Sequence, residues 1–444
     1  MAQGKYGLTK IGLVTATSLV IANMIGTGVF TSLGFQVAEI PSVFSLIFLW
    51  VVGGVIALCG ALSYGELGAA LPRSGGEYHL LSKIYHPIIG FMSGWVSATL
   101  GFAAPTALAA IALGKYTTAV FPEVNGTHLA GAVVVLITIV HGYSIRIGSL
   151  FQDSSTFIKI LLILVFIGAA IFIPDPQPAS LVPEWSDLGL ISSPSFAVAL
   201  IYVSYAYTGW NAAIYIVGEI KQPSENLPKA LFLGTAVVLI LYVLLNYVFL
   251  YSASMEDLNG VVEVGFLSAT QIFGNAGGEV MSLVIAVLLI STVSAMVFVG
   301  PRISMTMGED LPIFSFLGRK NQKGIPMNAM WFQMVITLLF IYTSSFEQVL
   351  IYASFMLTLF TSLTVFGVFV LRIKSPKLER PYRTWGYPLT PAIYVLLTVW
   401  IMIYVFKDRT FESLIGIGIA IAGLVFYAAN YLWIRIKQQP TEEL

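Results

Sequence analysis

The chain has 444 residues, of which 57% are hydrophobic and only 10% are charged. Soluble domains usually carry about 25% charged residues, so this composition excludes an ordinary soluble protein. The 22 basic and 22 acidic side chains cancel, and no segment has the block of basic residues that a nucleic-acid partner would require.

Apolar runs of about 20 residues, the length that crosses a bilayer as a helix, recur from one end of the chain to the other. Only helices and closed barrels satisfy the backbone in hydrocarbon, and these runs are too long and too uniformly apolar for barrel strands. We therefore predict an all-α integral membrane protein. Its twelve transmembrane helices should lie near residues 9–35, 43–68, 88–112, 128–145, 156–174, 195–217, 228–251, 278–300, 327–343, 348–372, 388–406 and 412–434.

The basic residues are sorted by side. With both ends placed in the cytoplasm, 18 of the 22 Lys and Arg residues fall on that side and three on the other. The remaining one, Lys159, lies in the fifth predicted helix. Because basic residues accumulate in cytoplasmic segments, we predict a multi-pass protein of the plasma (inner) membrane with both termini cytoplasmic. The first apolar run is too long for the core of a cleaved signal peptide.

The first predicted helix is interrupted by Gly26-Thr27-Gly28, and the sixth is interrupted around Thr208-Gly209. Glycine is common in membrane helices because it permits close packing, so packing alone would explain either break. Breaks at corresponding places in two halves of a chain indicate a transporter site between inverted repeats. Half-helix N-termini offer N–H groups to a carboxylate, and unwound carbonyls accept hydrogen bonds from an ammonium group. The pair of breaks therefore predicts a site for a zwitterion.

Cys59, in the second predicted helix, is the only cysteine, so no disulfide can form within the chain. Lys159 opens the fifth helix, where a cation costs about 2.5 to about 10 kcal/mol. On position alone, Lys159 either faces a functional cavity or extends its ammonium group to the cytoplasmic interface. The longest external stretches, about 174–194 and 252–277, are predicted to be structured caps. Two segments of the second cap, 256–258 and 267–273, suit short amphipathic helices.

Motifs of a membrane-embedded enzyme are missing from the sequence. The four histidines form no metal-ligand pair at helical spacing, and no Gly-x-x-x-x-Gly-Lys-Ser/Thr phosphate loop occurs. No Gly-x-Ser-x-Gly elbow occurs either. We therefore predict no catalytic residues, no metal and no cofactor. A channel would not need two matched breaks. An enzyme and a channel nevertheless remain the alternatives from other functional classes.

Three motifs carry a resemblance to a known family. Residues 25–30, Ile-Gly-Thr-Gly-Val-Phe, resemble the first-helix signature of the amino acid–polyamine–organocation superfamily, and residues 63–78 resemble its motif between helices two and three. Residues 207–211, followed by 219–223, are similar to the sixth-helix signature of the L-amino-acid transporter branch. The resemblance covers essentially the whole chain and implies a bacterial-type permease.

The resemblance implies one permease domain over 1–444 with the leucine-transporter-type fold and alternating access. Two inverted repeats of five helices each would occupy about 9–174 and 195–372, and two additional helices would follow over about 388–434. In this fold Gly26, Thr27 and Gly28 would hold the substrate carboxylate. The remaining site residues implied by the resemblance are the carbonyls of Met24, Tyr205, Ala206 and Thr208 for the amino group, Tyr205 as the gate, and Asn211 in the pocket wall.

Lys159 matches a family lysine that ties the unwound first helix to helix eight in place of sodium. We expect it to reach the backbone near Asn23 and a polar group such as Ser291 or Ser294. Neither interrupted segment has a charged side chain, so the predicted substrate is a neutral L-amino acid. Sodium-independent exchange is the predicted mode, and proton-coupled symport is the alternative. Animal members often carry a heavy-subunit cysteine between helices three and four. The segment 115–127 has none, so the expected partners are the amino acid and the lipid bilayer, without a disulfide-linked subunit.

Overall fold

The computed structural model describes residues 11–143, 145–173, 176–322 and 324–438. Within these ranges the regular secondary structure is helical, apart from one isolated bridge between Ile11 and Ile220. The α-helices are α1 (Leu13–Met24), α2 (Gly28–Thr31), α3 (Leu33–Gln36), α4 (Val43–Ala70), α5 (Gly76–Ile84), α6 (Pro87–Val96), α7 (Ala103–Thr118), α8 (Gly126–Tyr143), α9 (Ile145–Ala169), α10 (Trp185–Ile191), α11 (Pro194–Tyr207), α12 (Pro223–Ser252), α13 (Met255–Leu258), α14 (Val264–Asp310), α15 (Met327–Thr343), α16 (Phe346–Lys374), α17 (Leu389–Asp408) and α18 (Thr410–Gln438).

Long apolar helices dominate the described part of the chain. Eight are long and apolar enough to cross a membrane, and a ninth candidate is the bent pair 185–191 and 194–219. Three shorter apolar helices cover Gly126–Gly142, Phe157–Phe172 and Met327–Thr343. The predicted all-helical membrane protein is confirmed. The count of twelve spans and the inverted repeat stay predictions.

Local sequence explains where several helices begin. Ser42 and Ser193 accept hydrogen bonds from backbone N–H groups in the first turns of α4 and α11, as N-cap residues do. Pro194 follows directly at the first helical position, where its missing N–H leaves no gap in the helix. Ser345 and Gln348 form a reciprocal capping box at the start of α16. These polar caps satisfy the free N–H groups at the helix ends.

The predicted external caps are structured. In the first, α10 is attached to α4 because Ser42 and Ser45 both donate hydrogen bonds to Asp187. These bonds, and one from the Glu184 backbone N–H, lower the pKa of the Asp187 carboxyl. In the second, α13 and the first part of α14 match the expected short helices. Gly274, at φ 74°, separates that first part from the long helix that follows.

A buried carboxylate joins α4 to the polar end of α16. Glu66 is 1% exposed and accepts two hydrogen bonds from Arg372, at 2.9 and 2.7 Å, and one from the backbone N–H of Thr384 at 2.8 Å. Arg380 lies 3.5 Å from the same carboxylate and donates to the backbone carbonyls that end α16. Glu66 therefore fixes the loop between α16 and α17 against α4.

Glu66→Ala should destabilise the protein by about 3 kcal/mol, because removing one partner of this ion pair leaves partly buried guanidinium groups without their countercharge. The matched control is Glu225→Ala. Glu225 pairs with Lys229 in an exposed pair, and its loss should change stability by about 0.5 kcal/mol or less. Thermal unfolding of both variants in detergent compares the two. Equal melting temperatures would contradict the role given to Glu66.

Candidate functional site between two interrupted helices

Both predicted helix breaks are present. Helix α1 ends at Met24, the next three residues are not helical, and α2 begins at Gly28. Helix α11 ends at Tyr207, residues 208–211 form a turn, and a 3₁₀ helix follows over Ala212–Glu219. The breaks leave backbone groups unpaired at the middle of the helical core, where neighbouring groups or a ligand must satisfy them.

The two breaks touch each other at three places. A Cβ atom built on Gly28 would lie 2.4 Å from the Cα of Ala206, so only glycine permits this approach. Gly209, at φ 107°, packs in the same way against the carbonyl of Asn23, which a Cβ would meet at 2.7 Å. A hydrogen bond of 2.9 Å joins Thr27 Oγ1 to Tyr205 Oη. The glycines thus bring two chain segments some 180 residues apart into one site.

A cavity of about 810 Å³ lies beside the breaks. The cavity wall in the described part of the chain contains every residue predicted to bind substrate, and these are Met24, Gly26, Thr27, Gly28, Tyr205, Ala206, Thr208 and Asn211. The residues that the sequence analysis assigned to one site therefore line one cavity. Their roles toward a substrate stay predictions.

Part of the cavity wall is exposed. Ile11, Glu219 and Arg302 belong to the wall, the last two are exposed, and all three lie on the side predicted to be cytoplasmic. On the opposite side, Phe35 stacks between Tyr202 at 5.5 Å and Phe346 at 6.0 Å.

Polar contacts hold one of these stacked rings in place. Tyr202 donates a hydrogen bond to Glu347, which also lies 3.3 Å from Arg409. Glu347 therefore links Tyr202, and the ring stacked on it, to Arg409.

Two of the four carbonyls predicted to bind an amino group are already in use. The Met24 carbonyl accepts from the Gly26 N–H at 2.8 Å and from Tyr242 Oη at 2.6 Å, and the Tyr205 carbonyl accepts from the Thr208 N–H at 2.9 Å. In the described part of the chain, the carbonyls of Ala206 and Thr208 accept no hydrogen bond outside the helices.

The backbone N–H groups of Thr27 and Gly28 likewise have no backbone acceptor among the described residues. Two N–H donors on one break and two carbonyl acceptors on the other thus have no backbone partner and belong to residues of the same cavity wall.

Lys159 is buried, and its ammonium group donates to Thr292 Oγ1 at 2.9 Å. In the sequence Thr292 lies between Ser291 and Ser294, the two partners that were expected. Ser294 instead shares a hydrogen bond of 2.7 Å with His141. The methyl group of Thr292 lies 3.7 Å from the position of a Cβ on Gly26. Thr292 therefore contacts Lys159 with its hydroxyl and the unwound first helix with its methyl.

Besides Thr292, the residues at the site that were not identified from the sequence include Tyr242 and Glu77. Tyr242, on α12, satisfies the Met24 carbonyl. Glu77, 2% exposed in the first turn of α5, lines the cavity and accepts hydrogen bonds from Tyr64 Oη at 2.8 Å and Asn211 Nδ2 at 2.9 Å. Burial raises the pKa of the Glu77 carboxyl to about 7, although the hydrogen bonds oppose that rise. The sequence signal for Glu77 was its position directly after two glycines.

Comparison with known proteins agrees with this geometry. A family model described as amino acid permease matches residues 11–427. The chain belongs to the amino acid permease family. The permease is 28% identical to the large neutral amino acids transporter small subunit 2 of Mus musculus, over 96% of this chain and 81% of that protein.

Two further relatives carry other transporter names. The permease is 28% identical to the serine/threonine exchanger SteT of Bacillus subtilis (strain 168), over 95% of this chain and 97% of that protein. It is 26% identical to the b(0,+)-type amino acid transporter 1 of Mus musculus, over 94% and 87%. The predicted family is confirmed, and the chain is a multi-pass amino-acid permease.

Gly28→Ala should destabilise the permease by roughly 1–3 kcal/mol, because the added methyl overlaps the Ala206 backbone. Gly26→Ala should fold normally, since its methyl meets the Thr292 methyl at 3.7 Å and the Met24 carbonyl oxygen at 3.9 Å, both ordinary contact distances. Any loss of substrate binding then reports on the site itself. Gly418→Ala, with no atom within 4 Å of the added carbon, is the control. Melting temperatures with and without substrate separate these effects. Equal stability of all three variants would contradict the close packing.

Proposed function

We propose that the permease exchanges neutral L-amino acids across the plasma membrane by alternating access and without sodium. The observation that carries this proposal is the meeting of two interrupted helices over one cavity, with free N–H groups on one and free carbonyls on the other. A zwitterion offers the complementary pair of groups, a carboxylate and an ammonium. Backbone groups recognise what all amino acids share, and the rest of the cavity wall then selects among side chains.

The amino acid would place its carboxylate at the N–H groups of Thr27 and Gly28, where α2 begins. Its ammonium group would lie at the carbonyls of Ala206 and Thr208. Tyr205, bonded to Thr27, would act as the gate, since its ring belongs to the segment that must move when the site opens outward. Asn211 would contact the substrate side chain.

A neutral substrate fits the charges of the cavity. The ionisable side chains in its described wall include Glu77, His141, Glu219 and Arg302. Glu77 already accepts two hydrogen bonds from protein groups, and His141 is paired with Ser294. Glu219 and Arg302 are exposed. The ionisable groups nearer the breaks, Glu77 and His141, are thus engaged by protein partners rather than left to pair with a charged substrate side chain.

We infer twelve transmembrane helices in a five-plus-five inverted repeat with two additional helices, and cytoplasmic termini. The bent pair and the three shorter apolar helices supply the spans beyond the eight long ones. We also infer that the permease works without a disulfide-linked heavy subunit, because Cys59, its only cysteine, is buried in α4.

Counterflow in liposomes tests the proposed function. Purified permease is reconstituted with one unlabelled neutral amino acid inside, and entry of labelled amino acid is followed against a small panel outside. The proposal expects saturable entry that requires the internal amino acid. Liposomes containing the Gly418→Ala variant, whose added methyl contacts no atom within 4 Å, serve as the matched control that should transport normally, and protein-free liposomes give the background. Absence of counterflow for every neutral amino acid would reject the proposal.

Lys159→Met should reduce exchange at least tenfold, because it removes the charge that Thr292 holds beside the unwound first helix. Thr292→Val should also impair exchange, since it keeps a methyl but removes the acceptor. Thr292→Ser keeps the hydroxyl and should be less impaired. Initial rates in sodium and in choline media complete the experiment, and wild-type rates should be equal in both. Sodium-driven uptake, or normal exchange by Lys159→Met, would contradict this role.

Proton-coupled uptake is the second candidate function, and Glu77 favours it. Its carboxyl is buried in the cavity wall, and its pKa of about 7 allows it to gain a proton as the pH falls through neutrality. An imposed pH gradient should then drive net uptake into liposomes that contain no amino acid, and Glu77→Gln should abolish that uptake while exchange continues. Uptake that requires internal amino acid at every pH would leave exchange as the function.

A further inference from the structure

The Gly75-Gly76-Glu77 sequence has a role that the proposed function does not use. Both glycines lie in the left-handed region, at φ 125° and 56°. A Cβ on Gly76 would lie 2.2 Å from the ring of Tyr215, in the 3₁₀ helix that follows the sixth-helix break. The glycines therefore let α5 begin against that segment, and the first side chain after them, Glu77, comes to lie beside Asn211.

Glu77 fixes which way the Asn211 amide faces. Its Oε1 atom accepts from both Tyr64 Oη, at 2.8 Å, and Asn211 Nδ2, at 2.9 Å. A carboxyl oxygen that already accepts from two donors pairs with the NH₂ side of the amide and rejects the carbonyl side, whether or not the other carboxyl oxygen carries a proton. Tyr64 is itself held by the edge of the neighbouring Trp210 ring, at 4.7 Å between centroids. The orientation of Asn211 is thus set by buried groups behind it.

The carbonyl oxygen of Asn211 consequently faces away from Glu77. Among the described residues this oxygen has no hydrogen-bond donor, and it is not one of the buried atoms that lack a partner. Asn211 is half-buried and lines the cavity. The amide therefore presents a hydrogen-bond acceptor to the cavity, one residue after the buried Trp210.

We propose that Glu77 is a positioning residue that turns the Asn211 carbonyl toward the substrate, so that the site prefers neutral amino acids whose side chain donates a hydrogen bond. This inference rests on the proposed function. The favoured class carries a hydroxyl or an amide N–H, as in serine, threonine, asparagine and glutamine. An apolar isostere covers the same oxygen without bonding it. A buried acceptor left unpaired is unfavourable, and sites built this way discriminate strongly against analogues that lack the donor.

L-threonine and L-valine provide the sharpest comparison, because they differ by a hydroxyl in place of a methyl group. The kcat/KM for exchange of each is measured in liposomes. The wild type should favour threonine about tenfold, the effect of one net hydrogen bond. Asn211→Leu and Glu77→Leu should both bring the ratio close to one. Glu77→Gln retains a carbonyl oxygen for the two donors and should restore the preference. Tyr64→Phe removes only the other donor and should keep it.

The outcomes separate the two proposals. Equal kcat/KM for threonine and valine in the wild type would overturn the inference, and the exchange function would stand. A threonine preference that survives in Asn211→Leu would also overturn it, and this variant decides the matter if Glu77→Leu cannot be recovered folded. Equal losses for both substrates in Glu77→Leu, with the ratio unchanged, would show that Glu77 only supports the fold. Failure of counterflow for all neutral amino acids would reject the proposed function instead.

Discussion

The structure depends on one constraint, which is that backbone polar groups away from water need partners. Two helices are interrupted where this constraint is hardest to meet, and the surrounding residues are arranged to meet it in part. Tyr242 and the Gly26 N–H satisfy the Met24 carbonyl, and the Thr208 N–H satisfies the Tyr205 carbonyl. The groups that remain free lie on the cavity. The site thus consists of the part of the backbone that the fold leaves unsatisfied.

Much of the architecture follows from composition. In hydrocarbon a long apolar run can only become a helix, so helix type and approximate bounds were predictable without tertiary information. The breaks were predictable because glycine in two matched places weakens a helix and permits close approach. The matched breaks predicted a shared site, and the family resemblance then named the individual residues of its wall.

What the sequence left open is the rotation of each helix and the identity of distant neighbours. Ser291, Thr292 and Ser294 differ by steps of about 100° around α14, so their order does not reveal which one faces Lys159. In the folded protein α14 packs against α9 in such a way that Thr292 faces Lys159. Glu77 and Asn211 are 134 residues apart, and Met24 and Tyr242 are 218 apart. No local pattern links such pairs, which is why Glu77 and Tyr242 were missed as site residues.

The contact between Gly28 and Ala206 has a mechanical consequence. With the two backbones this close and Thr27 bonded to Tyr205, the start of α2 and the end of α11 cannot separate without leaving a void in a closely packed region. Under the proposed exchange mechanism, the two segments would therefore move together. An intermediate with one of them withdrawn and the other in place would open a path for small solutes past the substrate. A contact that keeps the pair together would suppress such leak states, so the tightness of coupling would depend on Gly28, a residue without a side chain.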